Sequence, residues 1–180
     1  MILHQYKIVF GGTMGSGKST AIKALSEIEV LSTEALNTDT GSHDKLLTTV
    51  GIDYGELTLE DGVKVGLYGT PGQDRFDFIW AVICKGAIGT IVMIDHAAEN
   101  PLLNLEQYLQ AFQPFGHNIV IAITHIDRMP ERTLSIYREW LASKELNYPL
   151  FFIDARQQDD VLLLVETLVA TIEVHYGLTS

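Results

Sequence analysis

The residues whose types and spacing most clearly imply chemistry run from 12 to 19: Gly12, Thr13, Met14, Gly15, Ser16, Gly17, Lys18 and Ser19. Two glycines separated by four residues, then Lys and Ser, let the backbone curl until successive N–H groups point inward at phosphate oxygens. Lys18 can bridge the outer phosphates, Ser19 can ligate Mg2+, and the Thr20 N–H can hold the inner phosphate. A helix beginning there adds its N-terminal dipole. With glycine at about 7% of residues, a chance match anywhere in the chain has odds of roughly half a percent. An ordinary glycine-rich turn needs neither the Lys nor the Ser at those offsets. The expectation is a site for a nucleoside triphosphate or its diphosphate.

Such a loop has to be mounted between a strand and a helix. The runs YKIVFGG (6–12), VKVGLYG (63–69), AIGTIVMID (87–95), NIVIAIT (118–124) and LFFID (150–154) are apolar without interruption, as parallel strands covered on both faces are. Helix-like stretches lie between them: Lys18 to Ile28, Asp74 to Lys85, Leu102 to Phe112, Glu131 to Ser143 and Asp159 to Tyr176. The last carries Val161, Leu164, Val165, Leu168, Val169 and Ile172 on one stripe. YGELTLEDGVKVGLYG alternates across Asp61-Gly62, a strong hairpin signal. These units predict a three-layer α/β domain spanning residues 1–180. Its sheet would be six-stranded and mostly parallel, with one antiparallel edge strand and helices on both faces. Ligands in such domains sit beyond the carboxyl ends of the strands.

With these motifs in place, the chain resembles the Ras-like small GTPases, which are P-loop NTPases, over nearly its whole length. Thr49-Val50-Gly51-Ile52-Asp53-Tyr54 looks like the switch I segment of Rab-like members. By that match Thr49 would ligate Mg2+ and contact the γ-phosphate. Gly69-Thr70-Pro71-Gly72-Gln73-Asp74-Arg75-Phe76 looks like switch II, where Gly72 would offer its N–H to the γ-phosphate and Gln73 would orient the attacking water. Thr124-His125-Ile126-Asp127 stands where the family carries Asn-Lys-x-Asp for guanine, and Asp154-Ala155-Arg156 where Ser-Ala-x closes over the base. The phrases GTPGQDRF and DAR resemble a bacterial and archaeal branch that includes relatives of the gliding-motility switch protein MglA. Its members often sit with roadblock-type partner proteins.

Three positions depart from the family pattern. Gly69 replaces the switch II Asp, so the carboxylate that holds a Mg2+-bound water is missing. Asp95, ending an apolar run, is the candidate replacement; its alternative reading is a helix or loop cap near Asn100-Pro101. Thr124-His125 replaces Asn-Lys, while Asp127 keeps two oxygens that can accept the N1–H and 2-amino group of guanine. His125 either covers the base face or is an exposed loop residue. Pro71 replaces a small residue and should stiffen switch II.

The remaining chemistry-bearing residues form no second site. His4, His43, His96, His117 and His175 lack the i, i+4 spacing of a zinc site. Cys84, the one cysteine, reads as packed within a helix and excludes an internal disulfide. Arg75 reads as structural rather than as an arginine finger. Asp39 and Asp44 lie in the polar stretch from Ser32 to Thr48, read as a loop with solvated charges.

Composition narrows the function classes. Twelve Lys and Arg against 23 Asp and Glu give a formal charge of −11, which repels nucleic-acid phosphates and anionic lipid. No basic n-region with a long apolar run opens the chain, no apolar run approaches a spanning helix, and Ile2 and the terminal GLTS carry no lipidation motif. A cytoplasmic protein with no direct membrane anchor is expected. The leading functional expectation is a switch that binds GTP or GDP with Mg2+, slowly hydrolyses GTP, and signals to a protein effector or regulator. Its catalytic groups would be Lys18, Thr49 and Gln73, with Mg2+ on Ser19 and Thr49. Contacts to the nucleotide would come from residues 12–20, Gly72, Thr124, His125, Asp127, Ala155 and Arg156. The alternatives are a nucleotide-stabilised interaction protein with little hydrolysis, and a P-loop ATPase or small-molecule kinase. The last would want an Arg-rich lid that the 12 basic residues do not form.

Overall fold

The computed structural model describes residues 5–37, 48–72, 77–175 and 177. Among the described residues, seven strands form one sheet in the order β2-β3-β4-β1-β5-β6-β7. They are β1 (Gln5–Gly12), β2 (Leu31–Asn37), β3 (Thr48–Thr58), β4 (Lys64–Gly69), β5 (Gly89–Asp95), β6 (Ile119–Thr124) and β7 (Leu150–Phe152). The helices are α1 (Lys18–Leu25), α2 (Asp77–Cys84), α3 (Pro101–Phe112), α4 (Ser135–Ser143) and α5 (Gln158–His175). Strand β1 lies between β4 and β5 and is parallel to both. β5, β6 and β7 continue in parallel. β3 runs antiparallel to its two neighbours, with the Asp61-Gly62 turn joining it to β4 as the alternation requires.

The expected sheet is therefore present with one strand more than the six predicted. β2 falls in the stretch from Ser32 to Thr48 that reads as loop. Its residues, LSTEALN, have no apolar run, and what makes them a strand is the ladder with β3 from Leu31↔Tyr54 to Asn37↔Thr48. Pairing with an existing edge overrides local preference. Asp39 and Asp44 lie outside the described residues. α1 also stops three residues before its expected end at Ile28. The Ser26 hydroxyl accepts the N–H groups of Ile28 (3.3 Å) and Glu56 (3.2 Å), turning the chain away to the sheet. α4 starts at Ser135 instead of Glu131, because the Arg132 guanidinium reaches back to the carbonyls of His96 and Ala98.

Alternate residues of the central strands fill two cores. Ile8, Phe10, Ile91 and Met93 pack under α1 and α5 with Ile22, Leu164 and Leu168. Val9, Val92, Ile94 and Ile121 pack against α2, α3 and α4 with Trp80, Leu109 and Tyr137. The sheet is thus covered on both faces, and β1 is clamped at its centre. One close approach sets its depth: a Cβ on Gly11 would lie 2.5 Å from Phe112 Cζ. Gly11→Ala should therefore cost about 1–3 kcal/mol through overpacking. Urea unfolding of Gly11→Ala, Phe112→Leu and the double variant should show the double costing less than the sum of the singles.

Candidate functional site

Residues 13–17 leave the carboxyl end of β1 and enter α1. Gly17, at φ 103°, takes the N-cap position, where no side chain caps the helix. The first-turn N–H groups therefore remain available to an external acceptor. Gly12 has φ 149°, and a Cβ there would collide with the Met93 carbonyl oxygen, so the loop lies flat against β5. Ser16 is buried and its hydroxyl has no partner among the described residues.

Lys18 is also buried, folded back so that Nζ donates to the carbonyls of Gly12 (2.5 Å) and Thr13 (2.8 Å). Burial pushes its pKa down to about 8, partly opposed by the negative charge of Asp53. Ser19 is exposed, and its hydroxyl donates to the Asp53 carboxylate. Hydroxyl and carboxylate are the hard oxygen donors that Mg2+ selects, so the groups present fit that ion. Gly72 rests on the same loop: a Cβ there would lie 2.5 Å from the Met14 backbone nitrogen.

Beside this loop opens a cleft of about 560 Å³ between Gly17, Thr20, His125, Asp127, Ala155 and Arg156. That size is normal for a small-molecule site. Asp127 sits in a 3-10 turn after β6, exposed and lining the cleft. His125, at φ 57°, bends over the loop so that Nε2 lies 3.0 Å from the Gly15 carbonyl oxygen. The Arg156 guanidinium grips Asp154 through Nε (2.9 Å) and Nη2 (2.8 Å), holding the Asp154 carboxyl down to about 2. This pair locks the turn that carries Ala155, whose Cβ would lie 3.1 Å from a Cβ on Gly17. A second cavity, of about 420 Å³ beside Cys84 and Asn118, lies at the amino ends of β5 and β6, away from the loop. Burial pushes the Cys84 thiol up to about 11, so it is no nucleophile at neutral pH.

Residues 7–174 match the family model described as Ras family. The chain belongs to the Ras family. It is 25% identical over 172 residues to the Ras-related protein SEC4 of Saccharomyces cerevisiae, covering 93% of this chain and 74% of that one. Against the GTP-binding protein ypt1 of Schizosaccharomyces pombe the identity is 26% over 180 residues, covering 96% and 82%. The Ras-related protein RabC of Dictyostelium discoideum is 25% identical over 180 residues, covering 93% and 84%. This is a Ras/Rab-type small GTPase, of a family of GTP-hydrolysing molecular switches.

Within this Ras-family fold the expected residues divide by position. Residues 12–20, Gly72, His125, Asp127, Ala155 and Arg156 gather around the loop and the cleft. Thr124 is placed differently: it is buried, and its hydroxyl donates to the Ser16 (2.8 Å) and Ile94 (3.3 Å) carbonyls, tying the loop to β6. Thr49 is paired with Leu36 inside the β2–β3 ladder, four residues and roughly 13 Å of strand before Asp53. Gln73 and Arg75 lie outside the described residues. Asp95 accepts the Ala97 N–H at 2.8 Å, within the turn that follows β5. The acid beside Ser19 is Asp53, a contact that sequence reasoning missed because it depends on long-range register.

Burial of Lys18 has a measurable pH signature. A group whose pKa falls on folding gives its stability above the unfolded value near 10.5 and loses it as pH falls through about 8. In nucleotide-free protein, the melting temperature of Lys18→Met relative to wild type should be highest below pH 8. That difference should shrink as pH rises toward 10.5, checked by thermal melts across the window.

Proposed function

We propose that residues 1–180 form one switch domain that binds GTP or GDP with Mg2+ and hydrolyses GTP slowly. The reading is carried by one juxtaposition: a phosphate loop with a buried lysine opens directly into a cleft edged by the Asp127 carboxylate. Loop N–H groups and Lys18 would take the phosphates, and Asp127 would accept two guanine N–H donors. Ala155 and His125 would flank the base, with Thr124 and Arg156 holding the walls. Ser19, joined by Thr49 in the triphosphate form, would hold Mg2+, which neutralises phosphoryl charge when bound. For Thr49 to reach the site, β3 must release Leu36, so the β2–β3 ladder is the proposed moving element.

The output would be a protein effector or regulator that reads this ladder and switch II. The GTPGQDRF phrase favours a roadblock-type partner, and the acidic composition disfavours nucleic acid. No helix among the described residues is long and apolar enough to cross a membrane; the proposed setting is the cytoplasm. A second reading, a nucleotide-stabilised interaction protein with little hydrolysis, is favoured by Gly69 and by Thr49 standing in the ladder.

Asp127→Asn should weaken GDP at least tenfold and shift preference toward xanthine nucleotides, since a carboxylate paired with two donors is replaced by a mismatched amide. Competition of GDP, XDP and ADP against a fluorescent guanine nucleotide tests this; equal GDP and ADP binding by wild type would contradict it. Gln73→Leu keeps volume while deleting hydrogen-bonding groups. Single-turnover hydrolysis should fall on the order of tenfold, about 1.4 kcal/mol, with binding retained. Equal rates, alone and with a partner, would instead favour the second reading.

A further inference from the structure

A carboxylate can choose between bases only if the turn that carries it is held still. The chain leaves β6 at Thr124, passes Asp127 in the 3-10 turn Ile126–Arg128 and enters α4 at Ser135. His96, in the loop after β5, is bonded to this segment on both sides of the turn. Before it, the His96 backbone N–H donates to the Thr124 carbonyl at 2.9 Å. After it, ring Nε2 lies 3.2 Å from the Arg132 carbonyl oxygen, and Nδ1 lies 2.6 Å from the Tyr137 hydroxyl. A carbonyl only accepts, so Nε2 carries the hydrogen, and in the uncharged ring Nδ1 accepts the Tyr137 O–H. Burial pushes that hydroxyl up to about 12, so it keeps its proton to donate. Arg132 returns the grip, its guanidinium donating to the carbonyls of His96 (2.5 Å) and Ala98 (2.8 Å). The His96 and Tyr137 side chains are both fully buried. A paired polar cluster in such a place rigidifies the elements it joins, and an unpaired member would be costly.

We propose that His96 is a positioning residue for base selection: it fastens both ends of the Asp127 turn, so that the carboxylate tells guanine from a purine lacking the 2-amino group. This rests on the guanine-nucleotide reading above. Both ring nitrogens are spent on Arg132 and Tyr137, so His96 acts on the base only through the turn. Without the ring's two bonds, Asp127 keeps its charge but loses the fixed placement that two simultaneous hydrogen bonds demand.

The test is competition of GDP and inosine diphosphate, which lacks only the 2-amino group, against N-methylanthraniloyl-GDP on the full chain. Wild type should prefer GDP by about tenfold or more, since the carboxylate otherwise keeps an unused acceptor. In His96→Phe, which keeps a ring but deletes both hydrogen-bonding nitrogens, the ratio should fall to about threefold or less. His96→Gln restores a side-chain N–H for the Arg132 carbonyl and should return the ratio to within about threefold of wild type. Tyr137→Phe removes one O–H and should lower the ratio by about threefold. A merely structural role would lower the melting temperature of these variants and leave the ratio alone. A wild-type ratio in folded His96→Phe would overturn the proposal, and so would a His96→Gln ratio no better than that of His96→Phe. If His96→Phe does not fold, Tyr137→Phe decides, an unchanged ratio there counting against the proposal. Wild type that binds GDP and inosine diphosphate equally would overturn the Asp127 reading itself, an outcome distinct from failure of the variants.

Discussion

A buried ammonium group organises the functional end of this molecule. Lys18 sits inside the loop that precedes it, and among the described residues its charge is received by two backbone carbonyls and, at longer range, Asp53. Burying a cation against neutral acceptors is costly, and the depressed pKa expresses that cost. An anion arriving in the loop would relieve it, which is the physical basis of the proposed phosphate site. Everything nearby serves to hold the arrangement. Gly12 lets the loop lie on β5, the Thr124 hydroxyl holds Ser16 from β6, and Gly72 closes over Met14.

The central sheet was legible from sequence because its strands are buried on both faces and leave uninterrupted apolar runs. The hairpin was legible through its Asp-Gly turn. β2 was hidden, since LSTEALN becomes a strand only by pairing with β3. The helix ends at Ser26 and Ser135 were misplaced for a related reason: hydrogen bonds to distant strands and loops decide them.

The loop itself was fully readable, being a local motif. Asp53 was not, because its closeness to Ser19 and Gly69 follows from the register of two strands, which no local pattern encodes. Thr124 shows the same limit. Its position matched the family's base-reading motif, while its hydroxyl is committed to the backbone of the loop.

The central claim is that the γ-phosphate changes the β2–β3 ladder while the core of the sheet stays fixed. Hydrogen exchange of the backbone amides, compared between GDP and a non-hydrolysable GTP analogue, measures this directly. The account predicts that protection changes across β2 and the first residues of β3, around the Leu36↔Thr49 pair, and stays constant in β1, β5 and β6. Identical exchange of that ladder in the two nucleotide states would contradict it.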